Sequence, residues 1–280
     1  MIDQFRLTDP LGVVVEASIN DPRATSILST LGLYGGLGVR ADKQDRLTDG
    51  TVPARVARTG RSWTPGGRII GLSDQGVVDW ALRIGGLFGG SDNDSSGLLE
   101  ITQGDLQLHA EVQLDGEPKI DAARDLGYVV WEIPLYSPDP HLYGSPQSVL
   151  LTQQGAGVGL RFPLFGGGVL SFGAAVAQDA ALQNPGNATA YPVYEVTGDL
   201  PSGFTISQGA GVVRYEGACT ADAPVTVDMS GSVSVTGQDR TWLCGEARWA
   251  GISPGETVSP AFSAPQGSGT CEATIYPTWI

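Results

Sequence analysis

From Ser73 to Phe88 the apolar residues Val77, Trp80, Ala81, Ile84, Leu87 and Phe88 recur at helical spacing and fall on one face. Ser73 or Asp74 can cap the start, and Gly89-Gly90 supplies a stop, so this segment is predicted as a helix. Elsewhere the apolar positions come in short runs or strict alternation, broken by Gly, Pro, Asn and Asp, which is the pattern of strands and turns. The Val-rich Phe5–Ile19 predicts a buried strand. Asp21–Leu31 fits a short helix or an extended strand equally well on pattern alone. Leu98–Ile101, Leu106–Leu114 and Tyr128–Leu135 predict strands, with Leu108, Ala110, Val112 and Leu114 alternating onto one face. Pro134 suits a strand end or edge. Ser137-Pro-Asp-Pro140 then breaks the pattern, because two prolines in four residues cannot continue a sheet.

The second half has a steadier rhythm. Tyr191–Thr197, Phe204–Ser207, Val212–Glu216, Val225–Met229, Ser232–Val235, Thr241–Leu243 and Cys271–Tyr276 read as strands. Pro185-Gly186, Gly198-Asp199, Gly209, Ser230-Gly231, Gly237 and Pro254-Gly255 read as the turns between them. Short strands at this spacing predict a β-sandwich. Between Arg40 and Arg68 the chain is arginine-rich, and Thr48-Asp-Gly50 is a hairpin cue. That stretch is either a polar loop or an arm that grips a neighbouring subunit. The glycine-rich 155–159 and 166–168 are flexible turns: no Lys-Ser/Thr follows, so neither is a phosphate loop.

Composition agrees with this picture. The 280-residue chain is 41% hydrophobic, which is enough for a core, and only 16% charged, with 40 glycines. Its charge thins after residue 150, which divides it into an N-terminal domain, 1–148, and a C-terminal domain, 149–280. The net charge of −14, with 16 basic against 30 acidic residues, offers no footprint for nucleic acid or an anionic membrane. Cys219, Cys244 and Cys271 are an odd, widely spaced set, neither a disulfide framework nor a zinc site, and are expected as buried free thiols. No basic start followed by an apolar run marks a signal peptide, and no 18-residue apolar stretch spans a membrane.

Two stretches carry a resemblance. Tyr136-Ser-Pro-Asp-Pro-His-Leu-Tyr143 holds Asp139, Pro140 and Tyr143, a strand leading into a rigid exit turn. Downstream, Asn184, Gly186, Pro192, Gly198, Asp228, Pro254 and Gly255 follow in a set order. Together they resemble the distal tail proteins and related minor tail proteins of long-tailed bacteriophages. The resemblance implies a mainly β chain, an N-terminal β domain with one helix followed by a galectin-like β-sandwich. It tilts Asp21–Leu31 toward a strand. It implies a structural, non-enzymatic part of the virion tail tip, assembled in the host bacterial cytoplasm. Its N-terminal domains would close into a ring with copies of itself, six-fold by the resemblance, joining the tail tube protein to the tail hub and needing no cofactor. Asp139, Pro140, Tyr143, Asn184, Gly186, Pro192 and Gly198 would then be residues of the fold and not of chemistry. The glycine-rich segment and the arginine-rich N-terminal stretch depart from the family pattern.

Nothing in the sequence assembles a catalytic set. His109 and His141 are its two histidines, and neither G-x-S-x-G nor H-E-x-x-H occurs. Acidic pairs such as Asp42/Asp45 and Asp121/Asp125 are expected by chance in so acidic a chain. Asp and Asn in Ser91–Ser96 lack the ligand spacing of a calcium loop. The alternative function is carbohydrate binding or host adhesion at the tail tip, against a surface glycan. Trp242 and Trp249, with Asp239, Arg240, Glu246 and Arg248 beside them, are the aromatic and polar residues such a site needs. The plainer expectation is that both tryptophans fill the sandwich core.

Overall fold

A computed structural model describes residues 2–19, 26–31, 38–41, 44–45, 49, 51–52, 56–89, 96–153 and 180–280. The chain divides into two compact units, Met1–Gly144 together with Ile280, and Ser145–Trp279. Both are built of antiparallel strands, with one α-helix among the described residues.

In the first unit the sheet runs in the order Lys119–Ala123, Tyr128–Glu132, Arg61–Ile70, Leu135–Ser137, Leu106–Leu114, Gly97–Gln103, Gln4–Thr8, Val14–Ser18. Ser26–Leu31 pairs with Arg61–Ile70, and Leu142–Gly144 pairs with Leu106–Leu114. Phe5 and Trp131 lie on strands five places apart in that order. A flat sheet would separate them by about 24 Å. Their rings are 5.6 Å apart, edge to face at 77°. The sheet therefore curls over its own apolar face, closing Phe5, Leu7, Val15, Trp63, Leu99, Val112 and Trp131 into one core. The helix Asp74–Gly85 packs on Lys119–Ala123 and Tyr128–Glu132 through the buried Val77 and Ile84.

Several expectations for this unit change. Phe5–Ile19 is a hairpin of Gln4–Thr8 and Val14–Ser18, and not one strand. Asp9 makes the turn, its carboxylate accepting from the Leu11 and Val13 amides at 2.9 and 2.7 Å. Tyr128–Leu135 is two strands, because Pro134 has no amide to donate and the chain breaks there before Leu135–Ser137. The helix ends at Gly85, three residues short of Phe88, which takes a positive φ of 58°. Within Asp21–Leu31, Ser26–Leu31 is a strand. In the arginine-rich stretch Val39–Ala41 pairs with Val56–Arg58 and Gln44–Asp45 with Thr51–Val52, the nested ladder of a hairpin. Residues 20–25, Thr48, Gly50, 91–95, and the glycine-rich 155–159 and 166–168 lie outside the described residues.

The second unit is a β-sandwich. One sheet runs Gln147–Thr152, Ser268–Ile275, Val193–Asp199, Val225–Asp228, Ser232–Val235, Gln238–Asp239. The other runs Cys244–Arg248, Gly211–Tyr215, Phe204–Gln208, Ala261–Ser263. Tyr194, Val196, Val227, Cys271 and Ile275 of the first face Phe204, Ile206, Val213, Tyr215 and Phe262 of the second in one buried cluster. Thr241–Leu243 is a 3-10 turn and not the expected strand. Asp239 Oδ1 accepts from both the amide and the hydroxyl of Thr241, at 2.8 and 2.6 Å, and that local bonding outcompetes a sheet ladder.

Candidate functional site

The exit turn of the first unit is held by one carboxylate. Asp139 Oδ1 accepts from the His141 amide at 3.0 Å and contacts the His141 ring Nδ1 at 2.7 Å. Tyr143 donates its hydroxyl to Asp139 Oδ2. Burial raises the pKa of Asp139, but these hydrogen bonds and the nearby His141 outweigh it and bring it down to about 2. Pro140 is half-buried beside it. Asp139, Pro140 and Tyr143 thus come together at the turn, with Asp139 bonded to both His141 and Tyr143.

Tyr143 also ends a polar row across the outer face of the sheet. Register places Glu16 opposite Arg6, Arg6 opposite Glu100, Glu100 opposite His109, and His109 opposite Tyr143. Arg6 Nε lies 3.3 Å from Glu16 and 3.8 Å from Glu100. These side chains are about half exposed, so the pairs order the face more than they stabilise it. Partial burial lowers the pKa of His109, against the raising effect of Glu100 and Glu111. Sequence reasoning missed this row, because only strand register aligns residues so far apart.

In the second unit Asn184 is the organising polar residue, fully buried. Its amide donates to the carbonyls of Ala188 and Ile252, at 2.7 and 2.9 Å. Its carbonyl oxygen accepts from the amides of Gly186 and Thr278, at 3.1 and 3.4 Å. A Cβ on Gly186 would stand 1.9 Å from the Thr278 carbonyl oxygen, so only glycine lets these backbones meet. Gly198 lies opposite Gly269 with a φ of 155°, where a Cβ would strike Gly269 Cα at 2.4 Å. The buried Pro192 precedes the strand Val193–Asp199, and its carbonyl accepts from Met229. Each of these residues closes a gap in the fold.

The two tryptophans part company. Trp249 packs against the sandwich core, but Trp242 is 72% exposed, against the expectation that both fill the core. The 3-10 turn explains this: it lifts Trp242 off the sheet that a strand would have laid it on. The next segment, Cys244–Arg248, is a largely exposed edge strand that the sequence did not signal, since its residues are polar or small. Cys244 is accordingly half-buried, and not buried like Cys219 and Cys271. A cleft of ≈ 300 Å³ opens between Ser202, Thr205, Arg214, Glu216 and Pro265. The Arg214–Glu216 pair beside it, at 3.1 Å, lies over Gly245, where a Cβ would meet Glu216 Oε1 at 1.9 Å. Among the described residues no three His, Cys, Asp or Glu side chains converge as a metal site would need.

The SPP1 Dit protein, described as a paradigm of the hub adsorption apparatus in phages infecting Gram-positive bacteria, superposes on this chain with a TM-score of 0.55. The match covers 89% of this chain and 92% of that one, at 12% identity. The chain has the Dit fold. Both units take part in it, since so wide a coverage spans the curled N-terminal sheet and the sandwich. A chain of the phage P2 baseplate, in its activated conformation with Ca, matches over 98% of both chains with a TM-score of 0.47 and 11% identity. No protein-family model and no curated protein sequence matches.

Proposed function

We infer that the chain is a structural component of a phage tail tip, a distal tail protein that joins the tail tube to the baseplate hub. The observation that carries this is the likeness to SPP1 Dit along nearly the whole of both chains. The role is mechanical. The first unit, Met1–Gly144, forms a six-fold ring with copies of the chain, and Ser145–Trp279 is the sandwich that the ring carries. Among the described residues the first sheet supports this reading by ending in the edge strand Lys119–Ala123, whose outer backbone groups are a template for pairing with a neighbour. Head-to-tail contacts of that kind close rings when the rotation allows. The nested pairs Val39–Ala41 with Val56–Arg58 and Gln44–Asp45 with Thr51–Val52 support it as part of an arm for a neighbouring subunit. Solution mass and negative-stain images of the purified protein test the reading. Six copies of the 29.1 kDa chain weigh about 175 kDa and show a central hole. Failure to form rings both alone and on purified tail tubes would sink it.

The exposed Trp242 favours a second activity of the same tail tip, binding of a host surface glycan by the sandwich. A bare aromatic face beside charged and amide groups is the chemistry that sugars recognise, and Trp242 has it where Trp249 does not.

A further inference from the structure

Among the described residues, the interior of the first unit holds a cation with no counter-charge. Arg61 is 4% exposed, yet neither its Nε nor its Nη1 has a hydrogen-bond partner. Ser137 stands directly opposite it on the neighbouring strand, 1% exposed, and its Oγ is likewise unpartnered. Residues opposite each other in an antiparallel pair project from the same face with Cβ atoms about 5 Å apart. Trp63, two residues on and so on that same face, is 1% exposed and leaves its Nε1 unpaired. The guanidinium carbon lies 5.8 Å from the Trp63 ring centre, which orients the group without neutralising it. Burial lowers the pKa of Arg61, and Arg58 lowers it further. In a chain with a net charge of −14, a buried arginine next to a second arginine and facing a free hydroxyl is an arrangement that water alone does not compensate.

We propose that Arg61 and Ser137 form a binding site for an oxyanion. The planar fork of Arg61 suits two oxygens of a carboxylate, phosphate or sulfate, and the Ser137 hydroxyl donates a third bond. The anion comes either from solution, as a free phosphate-like ion, or from an acidic side chain of a second copy of the chain. The structural consequence is the same: the bound charge ties the strand Arg61–Ile70 to Leu135–Ser137 just before the exit turn.

The test titrates phosphate, sulfate and acetate, at low millimolar concentration and fixed ionic strength, into the full chain while the unfolding temperature is read. The expected result is a saturating rise on the order of 3 °C. It is lost in Arg61→Met and reduced in Ser137→Ala, which keeps the comparison open if the first variant does not fold. Arg61→Lys keeps the charge without the fork and gives a weaker rise. A rise seen with single chains but lost on assembly identifies the anion as a neighbour's carboxylate; a rise in both states identifies a free ion. An equal response in wild type and variants overturns the site. Where the titration is flat, an experimental density map decides. An oxyanion or carboxylate on Arg61 upholds the proposal, and water or empty space there ends it.

Discussion

Single residues carry this fold where backbone segments must meet. Asn184 satisfies four backbone groups from three parts of the chain. Asn184→Ala strands those groups, and each buried unpaired group costs about 1–3 kcal/mol. The expected outcome is a fall in urea midpoint, with Asn184→Asp no better, since a carboxylate cannot donate to the Ala188 and Ile252 carbonyls. Two glycines make a controlled contrast. Gly186→Ala drives a methyl into the Thr278 backbone and is strongly destabilising, whereas Gly245→Ala displaces only the half-exposed side-chain ends of Glu216 and Arg214 and leaves the urea midpoint nearly unchanged. Asp139 sets a pH dependence. Its folded pKa of about 2 lies below the ordinary 3.8, so its contribution to stability is present above pH 4 and is lost as pH falls through 2. In Asp139→Asn that part of the acid-unfolding profile is flat; an unchanged profile would mean the turn lock contributes nothing.

Elements were legible where a local rule decides them. Helix spacing and the Ser73 cap located Asp74–Gly85, and the Ser73 hydroxyl does accept from the Gly76 amide at 3.2 Å. Ser73→Ala should cost about 1 kcal/mol, and should raise amide exchange in the first helical turn before the sheet responds. Alternation placed Leu108, Ala110 and Val112 inward, and all three are buried. Elements were illegible where a neighbour decides them. Cys244–Arg248 is a strand only because Gly211–Tyr215 offers it an edge, and its own residues are mostly exposed. Thr241–Leu243 looked extended until the Asp239 side chain claimed its backbone. The break in Phe5–Ile19 could have been found from Asp9-Pro10-Leu11-Gly12, whose Asx turn is a local signal.

At the scale of the whole molecule, exposure separates assembly from recognition. Trp242→Ala removes a side chain that packs on little, so folding and solution mass should stay as in the wild type. The glycan-array binding proposed for the sandwich should vanish in that variant, and an array blank for the wild type would sink that second activity. The sequence by itself determined the mainly β character, the helix Asp74–Gly85 and the sandwich rhythm, because side-chain period and turn residues are local properties. It also supplied Asp139, Tyr143, Asn184 and Gly186 as marked positions. What those residues do was decided by the tertiary structure. Curling of the first sheet brought Phe5 onto Trp131, and register lined up Glu16, Arg6, Glu100, His109 and Tyr143. The same register set Arg61 against Ser137, and the turn at Asp239 put Trp242 in solvent. Each of those depends on which distant strand lies alongside, a choice made by burial of the whole apolar surface and not written in any short window of sequence.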